Sequence, residues 1–106
     1  DSAAQVLRDG QARLAALNRD IAARRISAAD AEQARQRELQ NIRSIEASLA
    51  EAKQTRGRYV EASAQLTGQA AERRRLDAEI ARMNGQIGQL EKNLLDYQRA
   101  LGVSRA

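Results

Sequence analysis

The sequence predicts an all-α protein, a helical hairpin whose long second helix forms a coiled coil. Three observations carry this. Ala, Leu, Arg, Gln and Glu dominate the 106 residues, and these side chains lose little freedom on entering a helix. Proline is absent, so no residue removes a helical N–H or clashes with the turn before it. Apolar residues also recur at alternating steps of three and four, the spacing that lines one face of a helix.

The first helix is expected over residues 2–25. Ser2 is a suitable N-cap, and Gln5 three positions on completes a capping-box pattern. Leu7, Gly10, Leu14, Leu17 and Ile21 then share one face. Asp9 with Arg13 and Asp20 with Arg24 are four-apart pairs in the favourable orientation. Arg24 and Arg25 would sit in the last turn, where positive charge suits the helix dipole.

A turn follows at residues 25–27. Ser27 is the next N-cap candidate, and Asp30 at the third helical position adds negative charge to the first turn. So short a connection makes the two helices antiparallel neighbours, with Leu7, Leu14, Leu17 and Ile21 packing against Leu39, Ile42, Ile45 and Leu49.

The second helix is expected to span residues 28–102. Its pattern weakens through Ala52, Arg56, Tyr59, Ser63, Leu66 and Ala70, then becomes regular over Leu76, Ile80, Met83, Ile87, Leu90, Leu94, Tyr97 and Leu101. Carrying the first stripe forward would place Arg73 and Asp77 in the seam, so the register slips between Leu66 and Leu76, through a stutter or a loop. Gly57 and Gly68 offer two places for a break, residues 55–58 and 67–69, and Thr67 could cap a new helix. Gly85 and Gly88 lie inside the strongest run at outward-facing positions. Gly102 is placed to stop the helix. Without a break the second helix would run about 74 residues and about 110 Å; with one, the same 1–106 domain becomes a three-helix bundle.

Composition limits the function. Ala contributes 22 residues, and Leu, Ile, Val, Met and Tyr together only 23. That is fewer than the roughly 30 of a seam with two apolar residues per heptad, so contacts are thin and a partner chain is expected. The absence of Cys and His removes disulfides, thiol chemistry, imidazole bases and the usual zinc ligands. No P-loop, nucleophile elbow, S-x-x-K or dinucleotide-binding glycine motif occurs. Neither catalytic residues, cofactors nor metals are expected.

The remaining candidate is the seam Leu76, Ile80, Met83, Ile87, Leu90, Leu94, Tyr97 and Leu101, read as a self-association or partner-helix surface, with a homodimer as the first expectation. Its alternative use is the core face of an intramolecular bundle. The net charge of +4 and the run Arg73-Arg74-Arg75 raise nucleic acid as a partner. Consecutive helical residues point about 100° apart, however, and acidic neighbours lie among them. The chain also has only two aromatic residues, both Tyr, for base stacking. Nucleic acid is therefore the weaker reading, beside an adaptor that binds a partner's amphipathic helix. Arg56 and Arg58 around Gly57 read more simply as a solvated segment than as an anion site.

No stretch approaches the roughly 20 apolar residues of a membrane span. The chain begins at Asp1 and its one methionine is Met83, which reads as a processed or excised piece whose signal or lipid anchor has been removed or never existed.

Ile26-Ser27-Ala28-Ala29-Asp30-Ala31-Glu32, following a short Leu-containing helix, resembles the hairpin of short bacterial oligomerisation modules of the SHOCT type. The likeness spans residues 14–39 and departs from that pattern at Arg25, where glycine is common, and in lacking the usual aromatic. The chain as a whole is similar in style to coiled-coil bodies of small bacterial envelope proteins, lipoproteins or secretion accessories. That resemblance implies a periplasmic or envelope setting and a scaffolding or tethering role, and carries over no functional residue.

Overall fold

The structure, a computed structural model, describes residues 2–102. It is all-helical, with α1 (Ala3–Ala22), α2 (Ala28–Gln65) and α3 (Ala70–Leu101). The molecule measures 66 × 23 × 19 Å with a radius of gyration of 18.7 Å. A compact chain of this length would have a radius near 13 Å, and the unbroken helix would be far longer, so the fold lies between the two.

Local chemistry sets each boundary. The Ser2 hydroxyl accepts from the Gln5 amide at 3.1 Å, and the Ser27 hydroxyl accepts from the Asp30 amide at 3.1 Å. Both predicted N-caps are therefore in place. The first helix ends at Ala22, earlier than expected, because Arg24 turns left-handed with φ 55°. The Arg25 amide donates to the Asp20 carbonyl at 2.8 Å and the Arg24 amide to that of Ile21 at 3.1 Å. This is the paired closure that usually employs glycine at the left-handed position. Arg24 and Arg25 thus lie beyond the last turn. Arg25, and not Arg24, pairs with Asp20, at 3.2 Å.

The long helix breaks at the second of the two places that the sequence marks. Gly57 stays helical within α2, and the chain turns through residues 66–69 with Gly68 at φ 76°. The continuous helix of about 74 residues is thus divided, and the register slip becomes a loop between two antiparallel helices. Thr67 does not cap α3. Gln69 occupies that position without a side-chain hydrogen bond. Gly102 stops α3 in the left-handed conformation, φ 82°, as expected. Arg35 donates to the Leu101 carbonyl at 3.1 Å, satisfying an acceptor that the helix end leaves open.

One core joins the three helices: Leu7 and Leu14 from α1, Ile42, Ile45 and Leu49 from α2, and Ile87, Leu94, Tyr97 and Leu101 from α3. Leu17 and Leu39 pack at its edge, while Ile21 remains 47% exposed. Ile21 lies beyond the last buried residue of α1, one residue before the helix stops at Ala22, beside Ala28 and Leu101.

The glycines make opposite predictions. A Cβ on Gly57 or Gly88 would meet nothing within 4 Å, so Gly57→Ala should stabilise by about 0.5–1 kcal/mol through helix propensity alone. A Cβ on Gly10 would lie 2.7 Å from the Tyr97 hydroxyl oxygen and 2.8 Å from Cζ. Gly10→Ala should therefore destabilise by about 1–3 kcal/mol as an overpacked core. Urea unfolding of the two variants reads the difference directly, and shifts of the same sign would contradict the close approach.

Candidate functional site

Two constellations stand out, one buried in the three-helix end and one open at the other end. In the first, each helix contributes a polar group. Arg13 of α1 grips Glu38 of α2 through two hydrogen bonds, Nε to Oε2 at 3.1 Å and Nη2 to Oε1 at 3.2 Å. Tyr97 of α3 donates its hydroxyl to the same carboxylate, and Asn41 adds a longer contact at 3.4 Å. Tyr97 is fully buried and Glu38 nearly so, at 6% exposed.

Burial alone would raise the Glu38 pKa. The hydrogen bonds from Arg13 and Tyr97 and the Arg13 charge outweigh it and hold the carboxyl below its ordinary value. The Tyr97 phenol is pushed the other way, by burial first and then by its hydrogen bond to Glu38 and that residue's charge. The Arg13 guanidinium, chiefly through its hydrogen bond to Glu38, holds its proton more tightly still. The polar groups satisfy one another, so the cluster fixes where α1 sits on the α2–α3 hairpin.

The sequence spacing did contain a signal for it. Stepping back by four from Ile42, in the stripe Ile42, Ile45 and Leu49, lands on Glu38. A carboxylate in a core stripe calls for a partner.

A second polar set runs between α2 and α3. The α3 residues Asp77, Asn84, Glu91 and Gln98 stand seven apart and meet Ser63 at 2.5 Å, Arg56 at 3.1 Å, Lys53 at 2.8 Å and, more loosely, Glu46 at 3.5 Å. Each contact crosses the hairpin, so a slide of one helix along the other would break the row. Arg56 is thereby engaged inside the hairpin. Of the Arg73-Arg74-Arg75 run, Arg74 bends back to the Ala70 carbonyl at 3.4 Å and Arg75 lines the distal groove, so the three do not form one basic stripe.

The open constellation follows from length. At 1.5 Å per residue α1 covers about 30 Å and α2 about 57 Å, so α1 shields only the half of the hairpin nearest its base. The start of α1, at Ser2 and Ala3, lies beside Ala52, Thr55, Met83 and Leu90. Beyond it the groove between α2 and α3 continues without a third helix. On α2 the steps from Ala52 and Thr55 lead to Tyr59, Ala62 and Leu66. On α3 those from Met83 lead to Glu79, Leu76 and Glu72. These residues, with Arg75, line the distal groove.

The predicted seam is therefore divided. Ile87, Leu94, Tyr97 and Leu101 are buried against the other two helices of the same chain, and Leu90 packs at the core edge. Leu76, Ile80 and Met83 are only half-buried. The intramolecular use of the stripe accounts for its C-terminal half, and the sequence pattern, uniform along its length, gave no sign of the division. At the expected hairpin cap, the Ser27 hydroxyl accepts from the Asp30 amide at the start of α2.

Among the described residues, no group of three or more Asp or Glu is placed to hold a metal ion. None of the helices among them is long and apolar enough to cross a membrane. No protein-family model, curated protein or solved structure matches this chain.

Proposed function

We propose that this chain is a non-enzymatic interaction module that holds a partner helix in its distal groove. One observation carries the reading: α1 covers only the proximal half of the hairpin, leaving Tyr59, Leu66 and Leu76 half-buried with no third helix above them. The same α2–α3 groove accepts a helix over its proximal half, and its continuation is lined by Tyr59, Ala62, Leu66 and Leu76 with Glu72, Arg75 and Glu79 beside them. Helix-in-groove recognition works in this way, an amphipathic helix laying its apolar face into a preformed channel. The buried cluster and the cross-hairpin polar row support the reading by holding both walls in fixed register. An elongated scaffold or tether in a bacterial envelope or secretion assembly is the setting that suits it.

Site-specific photo-crosslinking in the source cell tests the proposal. A photoreactive residue at Leu66 or Leu76 should yield an adduct of defined mass, and one at Gln33, outside the groove, should not. Equal labelling at all three positions, or none at Leu66 and Leu76, would overturn it.

A further inference from the structure

We infer that the helix-bearing partner in the distal groove is a second copy of this chain, docked antiparallel about a two-fold axis level with Asp77. The inference rests on the groove reading above and adds the occupant. Its basis is the charge order along the groove side of α3. Glu72, Arg75 and Glu79 line the groove and Arg82 follows one turn on, beside the start of α1, so the four alternate in sign along this wall. Reversed end to end about Asp77, the order becomes its own complement. Arg75 then faces Glu79 of the partner subunit, and Glu72 faces Arg82 of the partner subunit.

A two-fold contact requires this kind of self-complementarity, because each patch must match itself in reverse. The apolar residues obey the same axis. Leu76 lies one residue from it, so the two copies of this side chain meet at the centre of the contact. Within one chain Arg82 pairs with Glu79 along the helix, leaving the outward faces of both groups to be shared with the second copy.

The geometry also closes the assembly. The uncovered groove extends from Thr55 to Leu66, about 17 Å of helix, and ends where α1 begins. A second hairpin tip entering it would stop against Ser2 and Ala3, and symmetry imposes the same stop on the other side. The product is a closed dimer with a four-helix middle and a three-helix bundle at each end, with no free groove on which a third copy could add.

Sedimentation equilibrium across a concentration series tests this with two rim variants. R75E/R82E makes the rim wholly acidic, and E72R/E79R makes it wholly basic. The native chain should sediment at twice its 11.7 kDa mass. Each variant alone should self-associate at least roughly tenfold more weakly, since like charges are brought together, with unchanged helical circular dichroism. An equimolar mixture of the two should recover the double mass.

A native chain that remains monomeric at every concentration would overturn the second-copy inference, as would variants that dimerise alone or fail to dimerise together. If the monomer still gives groove-specific crosslinks to a different protein, the interaction-module proposal stands and only the occupant is wrong. A monomer with no groove-specific adduct would remove both.

Discussion

Tyr97→Ala should cost about 3–5 kcal/mol, the usual loss when a large buried aromatic is cut back to a methyl group. The ring is fully buried where all three helices meet, against Gly10 of α1 and over Glu38 of α2. Its removal leaves a cavity and also withdraws a hydrogen bond from a buried carboxylate. Tyr97→Phe separates the two effects. It keeps the ring and deletes only the hydroxyl, so its cost should fall to about 1–3 kcal/mol, the range for leaving a buried polar partner unsatisfied. Chemical denaturation of both variants gives the comparison. Equal losses would mean that the hydroxyl alone carries the site, and a negligible loss for Tyr97→Ala would contradict the core position of the ring. The raised phenol pKa adds an alkaline signature. Tyr97 keeps its proton in the folded chain above the ordinary value of 10.0, so the native protein should lose stability as pH rises past that value, and Tyr97→Phe should lose less.

Glu38→Gln should cost about 1.5–3 kcal/mol at neutral pH, because hydrogen bonds to a charged group are stronger than those to a neutral one. It should also flatten the acid limb of the stability curve. The folded-state pKa of Glu38 lies below the ordinary 4.5, so in that window the unfolded chain binds the proton more readily than the folded one. Its contribution is complete above pH 4.5 and disappears as pH falls through the lower folded-state value. Urea midpoints of the native chain and of Glu38→Gln should therefore keep a constant gap above pH 4.5 and converge as pH falls below it. Parallel curves over that range would show that the carboxylate gains nothing from Arg13 and Tyr97.

How much of this was legible in the sequence depends on the range of the interaction. The caps at Ser2 and Ser27 and the stop at Gly102 were readable because each involves a side chain or backbone preference acting within four residues. The break between Leu66 and Leu76 was readable as a conflict of register, although the sequence offered Gly57 as an equal site. Gly57 is accommodated in α2 because an exposed helical glycine costs only about 1 kcal/mol, while Gly68 takes up a positive φ that the turn requires. The end of α1 at Ala22 lies outside such local rules, because a left-handed arginine at position 24 has no sequence signature.

The candidate sites were less visible. Arg13, Glu38 and Tyr97 lie on three different helices, and no local rule joins them. Only Glu38 in a core stripe and Gly10 in another hinted that something was paired and something large came close. The distal groove was harder still, since Leu76 and Met83 belong to the same repeat as Leu94 and Leu101. What separates them is the length of α1, which becomes meaningful only once that helix is docked.

The partial cover of the hairpin by α1 also grades the molecule's resistance to opening. At the base, each turn of α2 and α3 is braced by a third helix and by the Glu38 cluster. Towards residues 66–69 it is braced by its single neighbour and the polar row between them. Backbone amides near the loop should therefore exchange with solvent through small local excursions, and those around Ile45 and Leu94 only through much larger ones. The protein has a stiff root and a more pliable tip, and the distal groove lies towards the tip.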